Sequence, residues 1–431
     1  MRTLLHNISI IPMDGASQII EKGYIVIEND VIIAIGSGET ETAGCDKVIE
    51  GQNKVVLPGF INTHTHAAMT LLRGYADDLP LKEWLETKIW PLEDRLTPDD
   101  IYWGTMLAMI EMIKSGTTTF ADMYFSMDEV AQAVEKSGMR ACLSRGMIGA
   151  GPMSEQAITD SIELVKKWHN QGDGRITVML GPHAPYTCPP EYLSRVAELA
   201  ADLGVGVHIH VAETLGEVAD MAAQYGKTPV KILKDTGLLK NHVLAAHCVH
   251  LSEEDIALLA ESGAAVAHNP ESNMKLASGI APVPKLLAAG IPVALGTDGA
   301  SSNNDLDMMQ EMRTCALLHK VSSMDPTVLP AYKALEMATV NGAQALGLNG
   351  QIGALKKGYK ADMIIIDLHA AHQIPRYDIT ANLVYSGQAS DVETVIINGR
   401  VIMENRQFIT LDQEEIMRQA QRIAARLMKE V

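Results

Sequence analysis

Cysteine is sparse in this sequence, and its spacing excludes two common kinds of site. The five cysteines lie far apart and none forms a C-x-x-C pair; they are Cys45, Cys142, Cys188, Cys248 and Cys315. This pattern predicts neither a disulfide framework nor a cysteine-bound zinc site. Free cysteines packed as small apolar side chains are typical of a reducing compartment, so we expect a cytoplasmic protein.

Basic residues and long apolar runs are also scarce. Lys and Arg number 35 against 53 Asp and Glu, which gives a formal net charge of −18. Binding to a nucleic-acid backbone needs clustered cations, so we expect no nucleic-acid partner. No stretch approaches the roughly eighteen uninterrupted apolar residues of a membrane span, and the start, MRTLLHNISIIPMDG, carries no cleavage signature. We therefore expect no membrane partner either.

The middle of the chain alternates short apolar runs with helical stretches. A G-x-G-x-x-G motif does not follow the first run, so a doubly wound sheet with a dinucleotide crevice is only the alternative. Eight such runs between residues 55 and 349 predict an α/β fold, a (β/α)₈ barrel. The runs are VVLPGFIN, TTTFADMY, RACLSRG, ITVMLGPHA, GVGVHIHVAE, HVLAAHCV, AAVAHNP and PVALGTDG.

The two ends of the chain have a different character. GYIVIENDVIIAIG (23–36) contains an Asn-Asp hairpin signal, and VETVIINGRVIM (392–403) contains an Asn-Gly turn. We expect residues 1–58 and 350–431 to form one small β-sandwich beside a barrel of residues 59–349. A terminal helix is predicted from a shared apolar face formed by Ile416, Ile423 and Leu427.

Ionisable side chains recur where the predicted barrel strands end. Chemistry in this architecture sits at the C-terminal ends of the strands. A core strand has little reason to end in an ionisable residue, so the recurrence predicts an active site at that face. The residues are His64, His66, Asp122, Arg145, His183, His210, Glu213, His247, His268 and Asp298.

Histidine spacing on two of these strands predicts a metal site. In FINTHTH, His64 and His66 lie two residues apart, on the same face of a strand and roughly 6.5 Å apart along it. VHIHVAET repeats the pattern with His208 and His210, and LGTDG places Asp298 at a tight turn. Histidines from two strands and one carboxylate are typical ligands of catalytic Zn²⁺ or Fe²⁺. Spacing alone leaves His208 and His210 as alternatives; we favour His210, which lies nearer the strand end.

Several segments together resemble the amidohydrolase superfamily, in its deaminase and chlorohydrolase branch. They are PGFINTHTH, HIHVAET, AAHCVHLSEEDI, HNPESNMKLASG and GTDGASSNNDLDM, and the resemblance covers nearly the whole chain. It implies one divalent metal per subunit, Zn²⁺ before Fe²⁺ or Mn²⁺. Binuclear relatives carry a lysine near the end of the fourth strand, which RITVMLGPHA lacks. The implied ligands are His64, His66, His210 and Asp298.

The resemblance further implies a small-molecule substrate, an adenine nucleoside that is hydrolytically deaminated, and a homo-oligomeric protein. Displacing an aromatic amino group needs hydroxide, and a bound zinc lowers the pKa of its water from 15.7 to about 7. In this scheme Glu213 protonates N1 of the base, Asp298 takes a proton from water and His247 holds the new hydroxyl. The implied substrate contacts are Glu93, Arg145, His183, Glu213 and Asp298.

The sequence leaves more alternatives open for the substrate than for the fold or the metal. Relatives that accept S-adenosylhomocysteine often carry a second arginine after the first, whereas residues 146–165 contain no Arg or Lys. We therefore expect 5′-methylthioadenosine, adenosine or 5′-deoxyadenosine to be better substrates. Guanine, pterin or triazine substrates are alternatives, because fold and metal do not fix the leaving group. A binding protein without turnover and a hydantoinase-like ring-opening enzyme are rivals from other classes.

Overall fold

The computed structural model describes residues 1–15, 19–38 and 40–429 of the chain. In that part of the chain the strands form two sheets. They are β1 (Arg2–Ile10), β2 (Ile20–Glu28), β3 (Val31–Ser37), β4 (Lys47–Glu50), β5 (Lys54–Pro58), β6 (Phe60–Thr65), β7 (Thr117–Tyr124), β8 (Arg140–Met147), β9 (Ile176–Pro182), β10 (Val207–Val211), β11 (Val243–His247), β12 (Ala265–His268), β13 (Val293–Leu295), β14 (Met363–Asp367), β15 (Val392–Ile397), β16 (Arg400–Glu404) and β17 (Gln407–Phe408).

Helices follow most of the central strands, and several begin at a residue whose side chain caps the helix. Thr97 and Ser252, for example, each accept a backbone hydrogen bond from the third helical residue. The helices are α1 (Leu81–Trp84), α2 (Trp90–Glu93), α3 (Pro98–Lys114), α4 (Met127–Ser137), α5 (Ser154–Trp168), α6 (Gln171–Gly174), α7 (Pro190–Leu203), α8 (Leu215–Tyr225), α9 (Pro229–Asp235), α10 (Glu253–Ser262), α11 (Pro270–Lys275), α12 (Val283–Ala288), α13 (Met308–Ser323), α14 (Ala331–Ala338), α15 (Val340–Ala345), α16 (Ile379–Tyr385) and α17 (Gln413–Leu427).

Strands β6 to β13 pair in chain order into a parallel eight-stranded sheet, which confirms the predicted (β/α)₈ barrel. The first and last strands meet, because the Thr63 hydroxyl donates to the Leu295 carbonyl at 2.9 Å and the Asp298 amide donates to His64 O at 2.9 Å. Mostly small side chains fill the interior, among them Ile61, Ala121, Cys142, Leu244, Ala246, Ala265, Ala267 and Ala294. The carboxyl ends of all eight strands consequently open onto one face.

The remaining nine strands form the small β domain predicted from both ends of the chain. The sheet runs β17-β16-β15-β14-β5-β1-β2-β3, with β4 beside β1. It curls back on itself, because the Ile32 amide of β3 donates to the Tyr359 carbonyl at 2.9 Å, just before β14. Its two ends thereby enclose a separate apolar core. The exact limits 1–58, 59–349 and 350–431 stay a prediction.

Two features join this domain to the barrel. Gly59 alone separates β5 from β6, and a Cβ at Gly59 would lie 2.1 Å from the Thr118 side chain. Arg140, at the start of β8, pairs with Asp362 through a 2.7 Å contact, and both side chains are almost fully buried. The terminal helix α17 confirms the predicted apolar face, since Ile416, Ile423 and Leu427 are buried. No helix of the described ranges is long and apolar enough to cross a bilayer.

Candidate active site

The four predicted metal ligands converge at the carboxyl face of the barrel. Ligand atoms of His64, His66 and His210 lie within 4.8 Å of one another, and so do those of His64, His247 and Asp298. Asp298 Oδ1 lies 3.4 Å from Nε2 of His64 and 3.3 Å from Nε2 of His66. The side chains therefore surround one point although they come from three distant strands.

Hydrogen bonds orient the imidazoles so that their Nε2 atoms face this point. Nδ1 of His66 donates to the Met123 carbonyl at 2.6 Å, and Nδ1 of His210 donates to the His183 carbonyl at 2.7 Å. Nε2 of His64 is buried and has no hydrogen-bond partner among the described residues. A buried nitrogen without a partner is costly, so these three nitrogens and one carboxylate fit a divalent cation.

His208 occupies a different place from His210. Its Nε2 lies 2.8 Å from Nδ1 of His64, on the side of that ring away from the metal-facing Nε2. His208 is fully buried in the barrel interior. The structure therefore brings His210 into the ligand group and places His208 behind His64.

Burial and one carboxylate set the charges of the ligands. Burial lowers the pKa of His64 to about 4 and the pKa of His210 well below its ordinary value, so both are neutral as metal ligands must be. Burial also lowers the pKa of His66, but Asp298 outweighs this effect and raises that pKa to about 9. A cation bound here would displace a proton from His66. Burial alone would raise the pKa of Asp298, but the two histidines hold it well below its ordinary value.

Two serines that the sequence analysis did not identify hold the Asp298 carboxylate. Oδ2 accepts hydrogen bonds from Ser272 Oγ at 2.7 Å and Ser302 Oγ at 3.0 Å, while the Gly299 amide donates to Oδ1 at 2.8 Å. Asp298 itself adopts a left-handed backbone, with φ of 65°. Both serines belong to motifs that carried the family resemblance, which is the signal that could have found them.

Glu213 and His247 form a pair beside the ligand group. Their Oε2 and Nε2 atoms lie 3.7 Å apart, and both side chains are buried. Burial raises the pKa of Glu213, so its carboxyl holds a proton to a higher pH than usual. Nδ1 of His247 donates to Oδ1 of Asn273 at 2.9 Å, which leaves Nε2 facing Glu213. Asn273 is a further residue that sequence reasoning missed.

A cavity opens above these groups, and apolar and ionisable side chains line it together. This mixed lining is typical of a small-molecule site. Glu93 and His183 line it, and Nδ1 of His183 lies 3.0 Å from Thr187 Oγ1. Their contact with substrate stays a prediction. Burial raises the pKa of Glu93 to about 7, although a 2.5 Å hydrogen bond from the Tyr124 hydroxyl opposes the rise. Tyr124 also lines the cavity and was not predicted.

Arg145 lies elsewhere. Among the described residues it lines a neighbouring cavity, which shares Trp90, Glu93, Phe125 and Ile148 with the first. Its guanidinium contacts the Asp160 carboxylate at 3.4 Å and lies over the Phe125 ring, 5.8 Å from the centroid. The structure thus separates Arg145 from the ligand group, and its predicted contact with substrate stays a prediction.

Known proteins resemble this chain over nearly its whole length. A protein from Syntrophomonas wolfei named 5-methylthioadenosine/S-adenosylhomocysteine deaminase is 64% identical over 429 residues, which cover 99% of this chain and 100% of the relative. One of the same name from Pelotomaculum thermopropionicum is 57% identical, with 99% and 98% covered. A crystal structure of an adenosine deaminase from Xanthomonas campestris with bound zinc superposes with a TM-score of 0.95 at 36% identity, covering 99% of this chain and 98% of that one. The amidohydrolase family profile matches residues 55–402, and the chain therefore belongs to the amidohydrolase family.

Proposed function

We propose that this protein deaminates an adenine nucleoside by hydrolysis and releases the inosine analogue and ammonia. The observation that carries the proposal is the Glu213–His247 pair, which lies beside the ligand group at the floor of a cavity. The names of the Syntrophomonas and Pelotomaculum relatives support the substrate class. A binding protein without turnover would have little use for a buried acid beside a metal centre.

We propose one Zn²⁺ per chain as the cofactor, held by His64, His66, His210 and Asp298. The zinc in the Xanthomonas structure and the unpartnered His64 Nε2 both support it. When bound, the cation supplies Lewis acidity and lowers the pKa of water. The chain contributes three neutral imidazoles and a carboxylate, and the hydrogen bonds behind them fix their orientation.

The residues around the cavity divide the proton transfers. Water adds its oxygen to C6 of the base while Asp298 takes a proton from it, and Glu213 gives its proton to N1. His247 holds the new hydroxyl through Nε2. Asp298 then passes the proton it took from water to the exocyclic nitrogen, the C6–N bond breaks, and ammonia leaves as the C6 hydroxyl returns a proton to Glu213 and becomes a carbonyl. The raised pKa of Glu213 suits an acid, and Asp298 is ionised and therefore able to accept a proton.

The neighbouring cavity supports a preference among nucleosides. It begins at Glu93 and is lined by apolar side chains such as Phe125, Ile148 and Met153. Arg145 is the one cation among its described lining residues, and Asp160 already partners it. The carboxylate of an amino-acid tail would therefore lose solvation without gaining a free bidentate partner. We expect 5′-methylthioadenosine to have a higher kcat/KM than S-adenosylhomocysteine.

The decisive experiment is ultraviolet-monitored deamination by the purified protein with its zinc content measured. Turnover of 5′-methylthioadenosine, adenosine and S-adenosylhomocysteine is compared for the wild type and Glu213→Gln. We expect the variant to keep its zinc and to lose roughly 10²–10⁴-fold in kcat, the usual contribution of a general acid. Glu198→Gln, an exposed change on α7, is the matched control.

Other outcomes would point to the rival functions. Wild-type kcat in Glu213→Gln would contradict the assigned acid. Ammonia release from guanine or a pterin, or hydrolysis of a triazine, without nucleoside turnover would favour another aminohydrolase of the same family. Two metal ions per chain would favour a ring-opening enzyme. A kcat/KM for S-adenosylhomocysteine equal to that for 5′-methylthioadenosine would contradict only the proposed preference between these two nucleosides.

We also propose that the protein is a cytoplasmic homo-oligomer. The oligomer rests on the family resemblance, and the location rests on the scattered free cysteines. Light scattering coupled to size-exclusion chromatography gives the mass in solution, and a monomer mass would contradict the first proposal. Recovery of activity outside the cytoplasmic fraction of the source cells would contradict the second.

A further inference from the structure

A buried carboxylate outside the residues considered so far holds the backbone that carries Glu213. Glu217 is the third residue of α8 and is only 6% exposed. Its Oε1 accepts a hydrogen bond from the Ala212 amide at 2.9 Å, and its Oε2 accepts one from the Glu213 amide at 2.8 Å. One side chain therefore accepts hydrogen bonds from two consecutive backbone amides, that of the proposed acid and that of the residue before it.

The backbone at this point adopts a conformation that needs support. Ala212 has φ of 52°, in the left-handed region that residues with a Cβ avoid. The Ala212 carbonyl accepts hydrogen bonds from the amides of Val249 and His250, at 3.1 Å and 3.0 Å. The bend after β10 is thus tied to the loop after β11, and His247 is the last residue of β11. The hydrogen bonds of Glu217 and Ala212 therefore link the backbone of Glu213 to the backbone that follows His247.

The start of α10 shows what an ordinary helix cap looks like in the same molecule. There Asp255, also the third helical residue and also buried, accepts the amide and hydroxyl of its own cap residue, Ser252, at 2.9 Å and 2.7 Å. At α8 the cap residue Thr214 accepts the Glu217 amide at 3.1 Å, but the Glu217 carboxylate reaches past it. Apart from a hydrogen bond that Oδ1 of Asp255 accepts from the Thr228 hydroxyl, helix capping explains the contacts of Asp255. It does not explain the contacts of Glu217.

We propose that Glu217 is a positioning residue, which fixes the separation of Glu213 and His247. This inference rests on the deamination proposed above. Glutamine at this position would keep one acceptor oxygen and turn an NH₂ group toward a backbone N–H, so one of the two contacts would become repulsive. The bend would relax, and the Oε2–Nε2 distance of 3.7 Å would no longer be held.

The test uses the zinc-loaded, full-length Glu217→Gln variant with Asp255→Asn as the matched control. We expect Glu217→Gln to lose roughly 10²-fold in kcat, as misplacement by about 1 Å can cause, with zinc content and the KM for 5′-methylthioadenosine nearly unchanged. The control should lower the melting temperature and leave kcat within about threefold of the wild type, because a lost cap acts on stability.

A second substitution distinguishes positioning from general damage. Glycine adopts the left-handed conformation freely, so Ala212→Gly combined with Glu217→Gln should recover at least roughly tenfold of the lost kcat. Unchanged kcat in Glu217→Gln, or a loss that the double variant does not recover, would overturn the inference. If Glu217→Gln is recovered unfolded, Glu217→Asp replaces it, and wild-type kcat in that variant would also overturn the inference.

Crystal structures of the wild type and Glu217→Gln give a readout that needs no turnover. The Glu213–His247 distance should stay near 3.7 Å in the wild type and change by about 1 Å in the variant. An unchanged distance would refute positioning even if deamination is established. Absence of nucleoside turnover by the wild type would instead refute the proposed function, while the two structures would still decide the role of Glu217.

Discussion

Substitution of Tyr124 by phenylalanine should change the protonation of Glu93 without altering the shape of the cavity. The tyrosine hydroxyl donates to Oε1 of Glu93 at 2.5 Å, and both groups line the same cavity. Burial raises the pKa of Glu93 to about 7, and the hydrogen bond from Tyr124 is the largest effect that opposes the rise. Phenylalanine removes that opposing effect and leaves burial.

The size of the shift follows from the strength of the lost contact. A hydrogen bond to a charged group contributes about 1.5–3 kcal/mol, and 1.36 kcal/mol corresponds to one pKa unit. The pKa of Glu93 should therefore rise by roughly one to two units in Tyr124→Phe. The carboxyl would then be protonated at neutral pH, and it would be a weaker, neutral acceptor with only one free acceptor oxygen for the hydroxyl groups of a bound nucleoside.

The assay is the pH dependence of kcat/KM for 5′-methylthioadenosine, because this ratio reports groups of the free enzyme. We expect the acid limb to move upward by roughly one to two pH units, while kcat at saturating substrate above the new limb stays close to wild type. Tyr192→Phe is a matched control, since its hydroxyl donates to the Ser154 carbonyl at 3.0 Å and not to Glu93. An acid limb at the wild-type position in Tyr124→Phe would refute the reasoning.

Two further predictions concern stability, and one concerns zinc affinity. Zinc at 100 times its Kd should add about 2.7 kcal/mol to the free energy of unfolding of chelator-treated protein, and His64→Asn should abolish most of this gain. The affinity for zinc should fall as pH falls, because the ion displaces a proton from His66. Asp362→Asn should lower the free energy of unfolding in urea by about 3–5 kcal/mol, because it leaves Arg140 charged and unpaired in the interior. Asp173→Asn, which breaks an exposed pair with Arg400, should change the free energy of unfolding by less than about 1 kcal/mol. Equal effects of the two substitutions would contradict the greater importance of the buried pair.

Local patterns were sufficient for the architecture because strands and turns leave short-range signals. Apolar runs of strand length recovered all eight barrel strands, and the Asn398-Gly399 pair marked the turn between β15 and β16. The first run differs from the other seven because it covers parts of two strands. VVLPGFIN contains two strands that belong to different sheets, and Gly59 makes the change of direction without a clash. Pro58-Gly59 is a local turn signal, but it did not indicate that the two strands belong to different sheets.

The sequence by itself determined which residue types stand at the barrel mouth, because strand periodicity assigns a face to each position. Periodicity alone could not choose between His208 and His210, and we favoured His210 only because it lies nearer the strand end. The closed barrel places His208 against His64 and brings His210 into the ligand group. The same holds for Ser272 and Tyr124. Each acts through a hydrogen bond to a residue on another element or loop, and such contacts exist only after the strand ends have been brought together.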